Sequence, residues 1–146
     1  MNLLNFAYFD TSTWLKIYFL EKGSEPARVL ATKYSLVSSV ILLTECFSAL
    51  SRKKKSGEIK AAAFKRIIEN LREDAGALEM VQVTPRVLTM SQHIVLASTV
   101  RTLDAIHIAS ALLFEKTMGK PIVFISSDLR QAKSAEGQGL KTILVG

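Results

Sequence analysis

Residues 3–15 read LLNFAYFDTSTWL, and the run from Leu3 to Phe9 is almost entirely apolar. Such a run, rich in aromatics, predicts a buried strand. It stops at Asp10, followed by the hydroxyl side chains Thr11, Ser12 and Thr13. A carboxylate at the mouth of a buried strand has two uses. Asp10 or Ser12 caps the helix that begins near Trp14, or the acid serves a site. The rest of the chain has to choose between them.

Working outward, the pattern predicts a strand over 3–9, helices over 12–21 (stopped by Gly23) and 25–34, and a strand over 35–38. Pro26 falls in the first turn of the second helix, where its missing N–H costs nothing. Helices follow over 40–54 and 58–75, the latter with Phe64, Ile67, Ile68 and Leu71 at the spacing of one buried stripe. A strand over 78–83, helices over 85–97 and 102–117 (closed by Gly119), a strand over 121–126, a helix over 129–137 and a strand over 141–145 complete the chain. Alternating strands and helices predict a single α/β domain across residues 1–146, with a mostly parallel central sheet flanked by helices. In such sheets ligands bind outside the carboxyl ends of the strands. Asp10 stands at one such end, and Asp128, in FISSD, at another.

Composition narrows the class. Of the 146 residues 49% are hydrophobic, enough for a real core, so the chain is not disordered. A lone cysteine, Cys46, forms no internal disulfide and points to a reducing, cytoplasmic setting. No membrane span is expected: the charge-free run Val87–Val100 has 14 residues, against the roughly 20 that a spanning helix needs. No basic residue precedes Lys16, unlike the start of a signal peptide.

The net charge of +6 suits a polyanionic partner, but the acids are the more telling half. Asp10 and Asp128 end strands, Asp104 opens a helix, and Glu45 lies inside the apolar helix ILLTECFSAL. Each has a plain alternative: capping for Asp10 and Asp128, a helix-dipole role for Asp104, a solvated groove or an arginine for Glu45. Asp74, in the polar NLREDAGA, reads as a solvated face. If the four converge they require a cation, because two carboxylates about 4 Å apart repel by about 4 kcal/mol at an effective dielectric near 20. An all-oxygen cluster favours Mg2+ or Mn2+, and no Cys/His cluster offers zinc a site. Such a site suits phosphodiester hydrolysis, since a divalent ion acidifies water and stabilises charge on phosphate. Outside the four acids, nineteen Lys and Arg face nine acids, a net +10 that would hold a nucleic-acid backbone.

Four stretches, FDTS around Asp10, LLTECFSAL around Glu45, RTLDAIHIASAL around Asp104 and FISSDLR around Asp128, together resemble a PIN domain, the fold of VapC-type toxins. The resemblance spans nearly the whole chain, and its third stretch is the most specific. It implies an Mg2+- or Mn2+-dependent endoribonuclease, the toxin of a type II toxin–antitoxin pair. Asp10 and Asp104 would be the main metal ligands, Glu45 would ligate the ion or orient its water, and Asp128 would complete the quartet. Thr11 and Ser126 would hydrogen-bond behind them, Ser126 standing where the family usually has threonine. A homodimer and an antitoxin that blocks the site are implied as well.

Other residues invite weaker readings. Arg101 and Arg130 flank the acids and are phosphate candidates or ion-pair partners. RKKKSG at 52–57 could grip phosphates, but reads rather as a solvated helix end where cations suit the dipole. His107 and His93 read as hydrogen-bonded packing residues, and Tyr8, Phe9, Trp14, Tyr18 and Phe19 as core or dimer packing. Three alternatives stand beside a toxin: an RNA-processing PIN nuclease, a non-cleaving PIN-like scaffold that binds RNA or protein, and a phosphoacceptor domain. The last would need an acid after the central strand, where MVQVTPR supplies none.

Overall fold

The computed structural model describes residues 5–146. Among them, five strands form one parallel sheet: β1 (Phe6–Phe9), β2 (Ser35–Ser39), β3 (Glu79–Val81), β4 (Ile122–Ser126) and β5 (Lys141–Leu144), in the order β3-β2-β1-β4-β5. The helices are α1 (Thr11–Lys16), α2 (Ser24–Lys33), α3 (Leu42–Lys55), α4 (Ala61–Ala75), α5 (Pro85–Ala97), α6 (Thr102–Met118) and α7 (Leu129–Gly137). The predicted α/β architecture is the one observed.

The period of two along β1 explains why its sequence is apolar throughout. Phe6 and Tyr8 enter one core, with Val87 and Ile94 of α5 and Ala105, Ile106, Ile108 and Ala109 of α6. Ala7 and Phe9 enter the other, with Trp14 of α1, Leu42, Cys46 and Leu50 of α3, and Ile67 and Leu71 of α4. Side chains alternate across a strand, and helices cover both faces, so neither parity can be polar. Helix α6 is buried over seven consecutive residues, Ala105 to Ala111, which explains why its sequence lacks a one-sided stripe.

The strand order places the chain's reversal beside β1. From β1 the chain moves outward through β2 to β3, then crosses to β4 and ends at β5. The carboxyl ends of the paired strands β1 and β4 therefore flank a topological switch point, where parallel sheets open a crevice.

Several predicted bounds differ. Leu3 and Leu4 of the first predicted strand lie outside the described residues, and β1 begins at Phe6. The helix expected to Glu21 ends at Lys16, because Arg28 donates to the carbonyls of Ile17 and Phe19 at 3.1 and 2.6 Å and holds them in turns. Gly23, at φ 92°, then starts α2 rather than closing α1. A Cβ there would lie 3.0 Å from the Gly146 backbone, so the position suits glycine twice over. Helix α4 starts at Ala61, not residue 58, since Glu58 is engaged by Lys53 and Ser56 and Ile59 is buried. The strand expected over 78–83 shrinks to an edge strand paired only with Val37–Ser39.

Candidate active site

All four sequence-predicted acids line one cleft of about 260 Å³ at the β1–β4 switch point. Asp10 leaves the end of β1 and is 1% exposed. Its Oδ1 accepts from the Thr13 backbone N–H at 2.9 Å, so it caps α1. Ser12 donates to both of its oxygens, at 2.9 and 3.0 Å, and Ser126, at the end of β4, donates to Oδ2 at 2.6 Å. The capping use and the site use of Asp10 thus coexist. The same is true of Asp128, which accepts from the Arg130 and Gln131 N–H groups at the start of α7 while its side chain lines the cleft.

Glu45 reaches the cleft from the first turn of α3. Its Oε1 accepts from Thr11 Oγ1 and from His107 Nε2, each at 2.6 Å. Burial opposes its ionisation, yet the bonds from His107 and Thr11 outweigh that and hold its pKa below the usual glutamate range. A carboxylate only accepts, so Nε2 carries the proton. In the neutral ring Nδ1 then accepts from the Tyr8 hydroxyl at 2.7 Å. Burial drives the Tyr8 phenol pKa well up, which keeps it a donor.

Asp104 lies in the first turn of α6. Its pKa is raised, first by burial and then by the charges of Asp128 and Asp10, with Glu45 adding and His107 opposing. Asp104 therefore feels the other three carboxylates. Among the described residues none of them has a lysine or arginine within 4.0 Å.

A family model for the PIN domain matches residues 7–136. The chain belongs to the PIN domain family. No curated protein matches it significantly. Among solved structures, a toxin–antitoxin complex from Klebsiella pneumoniae has a similar fold, with a TM-score of 0.61 over 86% of this chain and 88% of that one at 16% identity. PIN domains are in general nucleases that use divalent metals, and the donor set here can be tested against that. Every acidic donor is oxygen, and among the described residues no lysine or arginine lies within 4.0 Å of the four acids, which fits a hard divalent ion. Nowhere do three or more described His, Cys, Asp or Glu side chains close around one point.

Five residues in or behind this PIN-domain cleft are not among the site residues that the sequence singles out. His107 and Tyr8 form the hydrogen-bonded chain behind Glu45. His107 is a packing residue, as its sequence suggested, but it also holds a site acid. Its signal was the spacing of three from Asp104, which puts both on one face. Ser12 holds Asp10, Gln131 donates to the Asp104 carbonyl at 3.3 Å, and Arg52 of the basic run lines the cleft. His93, by contrast, is exposed on α5, so it is not a buried packing residue. Asp74 is more than a solvated face, because the Tyr18 hydroxyl donates to it at 2.5 Å. MVQVTPR is not the central strand that a phosphoacceptor domain would use. The strand of MVQVTPR is the sheet edge, while the central strand β1 does end in an acid, Asp10. Asp10 nonetheless is buried with both oxygens accepting hydrogen bonds, a poor posture for a carboxylate that must attack a phosphoryl donor.

Proposed function

We propose that the protein is a metal-dependent endoribonuclease that hydrolyses RNA phosphodiester bonds and acts as the VapC-type toxin of a type II toxin–antitoxin pair. The observation that carries this reading is the carboxylate quartet at the switch point, which among the described residues has no lysine or arginine within 4.0 Å and is bordered by Arg101 and Arg130. Asp10 and Asp104 would hold Mg2+ or Mn2+, with Glu45 as ligand or water-orienting group and Asp128 completing the set. The ion, when bound, acidifies water and neutralises charge on the phosphate. The protein's own part is preorganisation. Ser12, Ser126 and the Thr13 N–H fix both oxygens of Asp10, and Thr11 and His107 fix Glu45. Arg101 and Arg130 would bind phosphates beside the acids.

The family favours a nuclease, and the toxin–antitoxin complex of similar fold favours an antitoxin partner. We further infer a homodimer. A cytoplasmic setting is the simplest for the one free, buried cysteine, whose thiol burial and the Glu45 charge push up to about 12. No helix among the described residues is long and apolar enough to cross a membrane.

The test is incubation with a mixed RNA pool in Mn2+ or Mg2+ and in chelator. Discrete cuts that appear only with metal are expected. Binding without any cutting would turn the reading towards a PIN scaffold.

A further inference from the structure

The cleft does not end at the acids. Asp104 and Asp128 also border a wider space of about 670 Å³ lined by Arg101, Arg130 and Lys133. Arg130 and Lys133 in turn border a third space of about 470 Å³, which runs on past Ser98, Thr99 and Ser134. Each space shares lining residues with the next, so together they make a trough of adjoining spaces. It starts at the acids and leads away between the α5–α6 connection and the outer face of α7.

The lining has a consistent chemistry. Arg101, Arg130 and Lys133 are all exposed, and among the described residues none has a carboxylate within 4.0 Å. Arg130 and Lys133 are three residues apart on α7 and share a face. The far part of the wall carries hydroxyls, with Ser134 donating to Ser98 at 2.9 Å. No aromatic side chain lines either outer space. Single-stranded nucleic acid is held by cations along its backbone and by aromatic platforms under its bases, and this trough offers only the first. Unpaired cations have no desolvated partner to give up when a phosphate arrives.

We propose that Arg101, Arg130 and Lys133 form a track for the sugar-phosphate backbone of the RNA segment on one side of the bond to be cut. The track reads phosphates and hydroxyl groups, not base identity. It rests on the ribonuclease reading above and gives that reading a direction across the surface.

The test is binding of a short single-stranded RNA in chelator, across about 50 to 200 mM salt, by the parent and by the triple variant Arg101→Gln, Arg130→Gln, Lys133→Gln. Each phosphate contact to a single strand contributes about 0.7 to the slope of log affinity against log salt, so the triple variant flattens it by about 2. A control variant with Lys60, Lys65 and Lys116 changed to glutamine removes equal charge elsewhere and keeps the steeper slope. In metal-dependent cleavage, Lys133→Gln raises KM several-fold, with a smaller change in kcat. A triple variant with the parent's slope, or equal flattening in both variants, overturns the track and leaves the nuclease reading standing. A parent that binds no RNA overturns the reading beneath it and the track together.

Discussion

Asp104→Asn lowers metal-dependent RNA cleavage by about a thousandfold, near 4 kcal/mol of barrier, while RNA binding persists. Asparagine keeps the shape and the α6 start but removes the charge that would hold the ion. In chelator the same change has the opposite sign for stability. The Asp104 pKa is raised in the fold, so at neutral pH its ionised form opposes folding. The folded state keeps its proton between the ordinary aspartate range and the raised value. Stability is therefore lost as pH rises through that window, and Asp104→Asn removes the loss. Asp104 is half-buried, and solvent screening limits the gain to roughly 0.5–1 kcal/mol, or about 2 °C in melting temperature. That gain disappears below about pH 4, where both states are protonated. Thermal melts in chelator across pH and a metal-dependent cleavage time course check both halves. Equal cutting by parent and variant would remove the acid quartet from the mechanism.

His107→Ala has the largest effect expected on stability, about 3–5 kcal/mol of a total that is typically 5–15. His107 is 1% exposed, and its ring meets Tyr8 edge-on at 5.6 Å. Its loss opens a cavity beside Tyr8 and Phe124, which stack at 5.4 Å, and leaves the buried Tyr8 hydroxyl without its acceptor. Glu45 also loses one of the donors that lower its pKa. The sign follows: Glu45 stabilises the fold above its ordinary pKa of 4.5, and that contribution is lost as pH falls through the lowered folded value. Urea denaturation near neutral pH and in mild acid measures both. Tyr8→Phe, which removes only the hydroxyl, costs about 1–3 kcal/mol. A His107→Ala loss under about 1 kcal/mol would mean that the Tyr8–His107–Glu45 chain is not holding α3 and α6 against the sheet.

The contrast between Asp10 and His107 shows what the sequence made legible. Asp10 was visible because a charge ends an apolar run, and the period of strand and helix alone locates that end. Asp128 was visible for the same reason. The switch point was not, because strand order depends on which helices cover which face. That packing choice also sent MVQVTPR to the sheet edge. His107 sits among apolar helix neighbours, so its polarity reads as packing, while Gln131 sits in the polar helix α7, where one more amide gives no signal. Their partners, Glu45 and the Asp104 carbonyl, are distant in sequence. Lys133 gave no signal, since an exposed lysine on a helix is ordinary until a cleft runs beneath it. The short α1 was hidden as well, because Arg28, twelve residues beyond Lys16, is what unwinds the turn after it.

The central claim is that four carboxylates on separate elements hold one catalytic ion site. Calorimetric titration of Mn2+ into the metal-free parent, Asp10→Asn and Asp104→Asn tests it without reference to any RNA. Saturable binding by the parent, weakened tenfold or more in each variant, is the predicted result. A parent that takes up no Mn2+, or variants that bind it as tightly as the parent, would contradict the account.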